Sequence, residues 1–289
     1  MSDTTARLPD FLLIGAAKSG TSTLHQYLRR HSGIFLPKLK EPEFFSDDSM
    51  YARGVDWYGS LFEQAAANQL CGEASTTYTR WPHTADAAAR IAKLLPRAKL
   101  IYIMRHPVDR AYSHYAHHMR LGVTMTFEEA LAKDSIYMDC SLYMMQIERY
   151  LRYFPRESFL FLFFSDMQRD IDSVLRQAES FLDLAHEDLP GKGLIHANPG
   201  GSDHFIRYHT TRRLRCLPGL PAVIDLIPQP IRKRMYARFR ASPLGQRLDR
   251  CYRLQPMRSE TRRDLLAYFG KPNLDLATFL KCDLAKWQQ

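Results

Sequence analysis

Short, almost uninterrupted apolar runs alternate along the chain with stretches whose apolar residues recur every three or four positions. The run Phe11-Leu-Leu-Ile14 breaks at Gly15 into the small-residue turn Ala16-Ala-Lys-Ser-Gly-Thr-Ser-Thr23, after which Leu24, Tyr27 and Leu28 keep helical spacing as far as Gly33. Strand, turn and helix are predicted in that order. Trp81–Pro96 carries a second helical face on Ala88, Ile91, Ala92 and Leu95, followed by the apolar run Leu100–Met104. Pro107 suits the first turn of a helix whose buried stripe is Val108, Ala111, Tyr112, Tyr115, Ala116 and Met119, up to Gly122, with His114 and His118 on the opposite face. Leu142–Phe154 reads as a helix, Ser158–Phe164 as a strand covered on both faces, and Asp170–Leu182 as an amphipathic helix. Residues 257–289 read as one or two closing helices. This alternation predicts a doubly wound parallel α/β sheet, with ligands gathered at the carboxyl ends of the strands.

The first turn has the composition of an anion cradle. Gly15 and Gly20 let backbone N–H groups crowd around an oxyanion, and the helix beginning near Thr21 directs its positive dipole end at the same place. The two glycines have the separation of a nucleotide-triphosphatase loop, but Thr21 stands where that loop carries its lysine and Lys18 comes three residues early. The strand Leu100–Met104 ends in Arg105 where a magnesium-binding Asp is expected, so no divalent ion is implied. A plain strand-to-helix turn with a solvated lysine is the bland alternative, but Ser19, Thr21, Ser22 and Thr23 give more hydroxyls than a cap requires.

Arg105 ends a strand and opens a helix, with Ser113 roughly two turns further on, and this makes a second phosphate site. The alternative is that Arg105 pairs with Asp109. Two anion sites on one sheet suggest a ligand with two phosphate groups. Lys38-Leu-Lys40-Glu41-Pro-Glu43-Phe-Phe45 reads either as a charged surface loop or as a carboxylate beside an apolar pocket, suited to general base work, with Glu41 and Glu43 competing for the role. His106, His114, His117 and His118 have no acidic cluster joining them, so a metal site is not expected.

Composition narrows the class. With 289 residues, 45% hydrophobic and 12% aromatic, the chain supports a sizeable core. No apolar run is long enough to cross a membrane, and residues 11–17 lack the flanks of an export signal, so a cytoplasmic protein is expected. Five scattered cysteines with no C-x-x-C pair indicate neither a disulfide framework nor a zinc site. The formal charge is +9, and the stretch 207–253 alone holds twelve Lys or Arg against two acids. Such a block draws polyanions, acidic lipid headgroups or an anionic substrate. Residues 196–256, rich in Pro and Arg, are expected to form a lid or insertion within a single domain spanning 1–289. Nucleic acid is not expected as a partner, because aromatics are not interleaved with this block for base stacking.

Taken together, Ala17-Lys18-Ser19-Gly20-Thr21 with Leu24, Lys40-Glu41-x-x-Phe44-Phe45, Gly72-Glu73-x-Ser75-x-x-Tyr78 and Arg105-x-Pro107-x-Asp109-Arg110-Ala111-Tyr112-Ser113-His114-Tyr115 resemble the sulfotransferases that use 3′-phosphoadenosine 5′-phosphosulfate (PAPS), in particular the heparan-sulfate type and its bacterial relatives. The resemblance runs from about residue 10 to about 185 and returns weakly near 257–288. It implies a P-loop-like parallel sheet related to nucleotide kinases, no metal, and transfer of a sulfuryl group to an acceptor hydroxyl or amine. Carried over, Lys18 offsets charge on the sulfuryl and its leaving phosphate, Arg105 and Ser113 hold the 3′-phosphate, and Glu41 deprotonates the acceptor. Ser19, Gly20, Thr21, Ser22 and Thr23 complete the donor site, while Lys40, Glu41, Phe44, Phe45, Glu73 and Ser75 are expected at the acceptor. The expected acceptor is a carbohydrate or glycolipid, with a small phenol, lipid or secondary metabolite as the alternative, a degenerate nucleotide kinase as the rival enzyme, and peripheral membrane contact through 207–253. The cysteine-bridged Lys-Gly-Arg loop that covers the nucleotide in the heparan-sulfate enzymes has no counterpart in this sequence.

Overall fold

A computed structural model describes residues 7–121, 123–188, 229–243 and 254–289. The first run is strand β1, Phe11–Gly15, and the helix after the turn is α1, Thr21–Leu28, followed by the short β2, Ile34–Phe35. Helices α2, Asp48–Tyr51, and α3, Gly54–Ser60, precede β3, Leu70–Ala74. Then come α4, Ala87–Leu94, β4, Lys99–Met104, and α5, Pro107–Arg120. Helices α6, Phe127–Lys133, α7, Ile136–Asp139, and α8, Tyr143–Leu151, lead to β5, Phe159–Phe163, which runs directly into α9, Phe164–Arg169, and α10, Ile171–Phe181. The C-terminal part contains α11, Gln229–Ala241, and α12, Ser259–Leu280.

The five strands are all parallel, in the order β2-β3-β1-β4-β5. Their alternation explains the continuous apolar runs. Leu12 and Ile14 of β1 with Leu100, Tyr102 and Met104 of β4 join one buried cluster, with α4 and α8, while Phe11, Leu13, Ile101 and Ile103 join the other, with α1 and α10. A strand buried on both faces has no polar side to show, so period two disappears from its sequence. The expected doubly wound α/β sheet is borne out. The chain order reverses at β1, which puts the ligand crevice of such a sheet at the carboxyl ends of β1, β3 and β4.

Strand β3 went unread because Gly72 and Glu73 interrupt it. A Cβ at Gly72 would stand 2.1 Å from the Phe11 ring, so glycine is what lets β1 pack this close. The helix expected over Trp81–Pro96 starts only at Ala87, where the Asp86 carboxylate caps it by accepting from the Ala89 N–H at 3.4 Å. His114 is buried rather than on a polar face, because α5 is covered well beyond its expected stripe: Arg110 and His114 are enclosed together with Val108, Ala111 and Tyr115.

Two compact units divide the chain, one comprising 1–111, 135–198 and 262–289, the other 112–134 and 199–261. The first holds the sheet. In the second, Thr126 and Glu129 form a capping box on α6, and the Phe127 ring packs edge-on against Tyr112 at 5.3 Å. Most of the expected 196–256 insertion lies outside the described residues. Cys71 and Cys282 are free thiols, and among the described residues no helix is long and apolar enough to cross a membrane.

Candidate active site

The turn after β1 holds Lys18 in the left-handed region at φ +72° and Gly20 at φ +93°. A side chain at Gly20 is excluded both by that φ and by the Phe164 ring, 2.8 Å from where a Cβ would stand. Helix α1 therefore starts with no side-chain cap and no acid in its first turn, leaving its dipole end uncompensated. Lys18, Ser22 and Thr23 are half-buried, whereas Ser19 and Thr21 are enclosed, so their hydroxyls are less available than the sequence suggests.

From the end of β4, the half-buried Arg105 guanidinium donates to the Lys18 carbonyl at 3.3 Å and lies over the Phe164 ring, 4.9 Å from its centroid. The Tyr143 hydroxyl fixes the Arg105 backbone, accepting from its N–H at 3.2 Å and donating to its carbonyl at 2.6 Å. Burial lowers the Arg105 pKa from its ordinary value, and a guanidinium so perturbed stays charged at neutral pH. Asp109, the alternative partner for Arg105, instead accepts from Arg262 at 2.9 Å. Arg110, fully buried, donates to the carbonyls of Ala17 at 3.4 Å and Tyr137 at 2.6 Å and to the Ser141 hydroxyl at 2.5 Å. Two arginines thus grip successive carbonyls of the anion turn. That second grip was not foreseen, although Arg110 stands within the motif.

On the β3 side, the Lys40 ammonium donates to both the Ser22 hydroxyl at 2.8 Å and the Glu41 carboxylate at 2.9 Å. Thr76 donates to the other Glu41 oxygen at 3.2 Å, and the Glu41 N–H donates to the Ala74 carbonyl at 3.1 Å. Lys40 therefore ties the Glu41 carboxylate to the first turn of α1. Glu43 is differently placed. Burial raises its pKa, opposed by the nearby Arg80.

Phe44, Phe45, Glu73 and Ser75 correct the expectation of acceptor contacts, because each is at most 1% exposed and offers an acceptor no surface. Phe44 stacks on Tyr58 with ring centroids 4.3 Å apart, and Phe45 packs edge-on against the same ring at 5.3 Å. Glu73 accepts from Tyr58 at 2.7 Å, Tyr78 at 2.8 Å and Ser75 at 2.5 Å. Burial raises its pKa to about 7 against the pull of those three donors. His25 on α1 was missed for lack of any motif. Burial, then the nearby Lys40 and Arg29, lowers its pKa to about 4, so it stays neutral beside the crevice. Ser113 is half-buried on the part of α5 that belongs to the second unit, so the first unit by itself brings together Lys18, Lys40, Glu41 and Arg105. Among the described residues no group of three or more His, Cys, Asp or Glu is placed to hold a metal.

Two cations and a bare helix terminus suit an anion, and a tethered carboxylate beside them suits proton removal. Residues 8–193 match the family model of the sulfotransferase domain. Human bifunctional heparan sulfate N-deacetylase/N-sulfotransferase 3 is 32% identical over 197 residues, covering 61% of this chain and 22% of its own length. Human heparan sulfate glucosamine 3-O-sulfotransferase 6 is 32% identical over 187 residues, covering 62% of this chain and 53% of its own. The chain thus spans about half or less of these curated relatives. A solved sulfotransferase from Alicyclobacillus acidocaldarius has a TM-score of 0.71 at 26% identity, covering 98% of this chain and 100% of that one. Since the matched segment takes in the anion turn, the Glu41 segment, β3 and Arg105, and most of the chain with them, the protein belongs to the sulfotransferase domain family.

Proposed function

We propose that this chain transfers a sulfuryl group from PAPS to a hydroxyl of a carbohydrate or glycolipid. The observation that carries the reading is the Lys40 bridge, which joins a candidate base, Glu41, to the anion-binding end of α1. The donor-side residues fit such a nucleotide: an uncapped helix terminus, a left-handed Lys18 and a half-buried Arg105. When bound, PAPS supplies an activated sulfuryl group on a phosphosulfate anhydride. Glu41 takes the proton of the acceptor hydroxyl as its oxygen bonds to sulfur, and the electron pair of the breaking S–O bond goes to the departing phosphate. Lys18 offsets the charge that collects there. Arg105, with Ser113, holds the 3′-phosphate.

The names of the two heparan sulfate relatives support a carbohydrate acceptor. A single domain over 1–289 with a basic lid at 196–256, a cytoplasmic location and contact of 207–253 with an anionic membrane surface belong to the same proposal. For the last, Ile231 and Met235 on α11 are 50% and 56% exposed, and the neighbouring Arg234 and Arg238 are exposed as well.

The test is sulfate transfer from labelled PAPS across sugars, glycolipids and phenols. Transfer to sugars is expected, with Glu41→Gln losing turnover yet keeping the thermal shift given by adenosine 3′,5′-bisphosphate. Lys18→Ala should cost on the order of 3 kcal/mol of transition-state stabilisation, about a hundredfold in rate. A thermal shift with ATP and magnesium but none with the bisphosphate would favour the kinase, phenol-only transfer would favour the small-molecule acceptor, and loss of turnover in Glu43→Gln alone would move the base to Glu43.

A further inference from the structure

The segment 41–45 carries two non-glycine residues in the left-handed region, Glu41 at φ +56° and Glu43 at φ +55°. Such a conformation persists only where the surroundings over-determine it. Three of those surroundings converge on one carboxylate. Ser75, which donates to Glu73, accepts from the Glu43 N–H at 3.1 Å. Tyr78, which donates to Glu73, accepts from the Phe45 N–H at 3.5 Å. Tyr58, which also donates to Glu73, stacks on Phe44. The three donors therefore hold three successive residues, 43, 44 and 45, directly after Glu41 and Pro42.

Above its raised pKa of about 7 the Glu73 carboxyl is ionised and acceptor-only, so it fixes the hydrogen of every hydroxyl it meets. With their hydrogens committed to Glu73, Ser75 and Tyr78 have only lone pairs to present to the backbone N–H groups of the segment. A neutral amide at position 73 breaks this logic, because its NH2 turns one hydroxyl around and releases that hydroxyl's hydrogen. We infer that Glu73 is a positioning residue: through Ser75, Tyr58 and Tyr78 it sets the backbone of 43–45 and thereby aims the Glu41 carboxylate. This rests on Glu41 as the proposed base, and it assigns Glu73 no contact with either substrate.

The experiment uses the full chain as Glu73→Gln, Ser75→Ala and Tyr78→Phe, with Ile91→Val as a control that disturbs the same buried cluster away from the segment. Amide hydrogen exchange over 41–46, kcat and KM for sulfate transfer, and bisphosphate affinity are read for each at a pH above the Glu73 pKa of about 7. Ser75→Ala, which deletes a single hydroxyl, covers the case in which Glu73→Gln does not fold. The expected result for Glu73→Gln and Ser75→Ala is a kcat lowered about tenfold or more, bisphosphate affinity held, and exchange at Glu43 accelerated about tenfold, each the equivalent of one lost hydrogen bond. Ile91→Val should leave all three unchanged. The inference is overturned if Ser75→Ala keeps wild-type exchange and kcat, or if Ile91→Val reproduces its losses. Exchange at Glu43 reports the anchoring whatever Glu41 does, and turnover of Glu41→Gln reports the base alone, so the two failures are distinguishable.

Discussion

The two flanks of the crevice are built by opposite means. The turn on the β1 flank follows local rules: a glycine where φ is positive, a helix start, a lysine and small residues close together in sequence. The 41–45 segment on the β3 flank is held chiefly by partners far along the chain, Tyr58, Ser75, Thr76 and Tyr78, with Phe44 and Phe45 as anchors in the core. On the first flank the half-buried Lys18, Ser22 and Thr23 leave side chains toward the crevice, whereas most residues on the second are structural before they are chemical.

Substitutions test that division directly. Phe44→Ala should cost the most, about 4 kcal/mol of unfolding free energy in urea denaturation, since a fully buried ring leaves a cavity against Tyr58 and Trp57. If it unfolds like the wild type, the second flank is not structural. Arg105→Ala should weaken bisphosphate binding by about 3 kcal/mol in calorimetry, the loss of a charge-assisted phosphate contact, while the urea midpoint moves little. A large loss of stability there would erase the contrast. His25 sharpens it through pH. Its folded pKa of about 4 lies below the ordinary histidine value of 6.5, so as pH falls below 6.5 the unfolded chain takes a proton that the folded one refuses, and stability drops. Relative to His25→Gln, the wild type should lose about 2 kcal/mol by pH 5, read from paired urea curves. Glu73 works in the other direction, its folded pKa being raised, and it cancels in that pairwise difference. Smallest of all is Arg262→Ala, which breaks an ion pair whose partners are both about 40% exposed and should shift stability by less than about 1 kcal/mol.

The same division decides what could be read in advance. The turn, β4 with the start of α5, β5 and α10 were legible because apolar spacing and punctuating glycine or proline are properties of neighbours. Lys18, Arg105 and Glu41 were legible as candidates for the same reason. Strand β3 was not, since a buried carboxylate in a strand adjacent to β1 makes sense only with Tyr58 and Tyr78 folded onto it. Phe44, Phe45, Glu73 and Ser75 carried the motif but not its meaning: spacing singles out residues without saying whether they face a ligand or one another. The grip of Arg110 on Ala17 and the desolvation of His25 are likewise tertiary facts with no local signature.

One contact across the crevice has a practical consequence. Because the Arg105 guanidinium holds the main-chain oxygen of Lys18 itself, the two cations are not independent instruments: removing Arg105 takes away a donor that seats Lys18. Free energies measured for Lys18→Ala and Arg105→Ala should therefore fail to sum in the double variant, and the shortfall measures how strongly the opposite ends of a doubly charged guest are coupled through one peptide group.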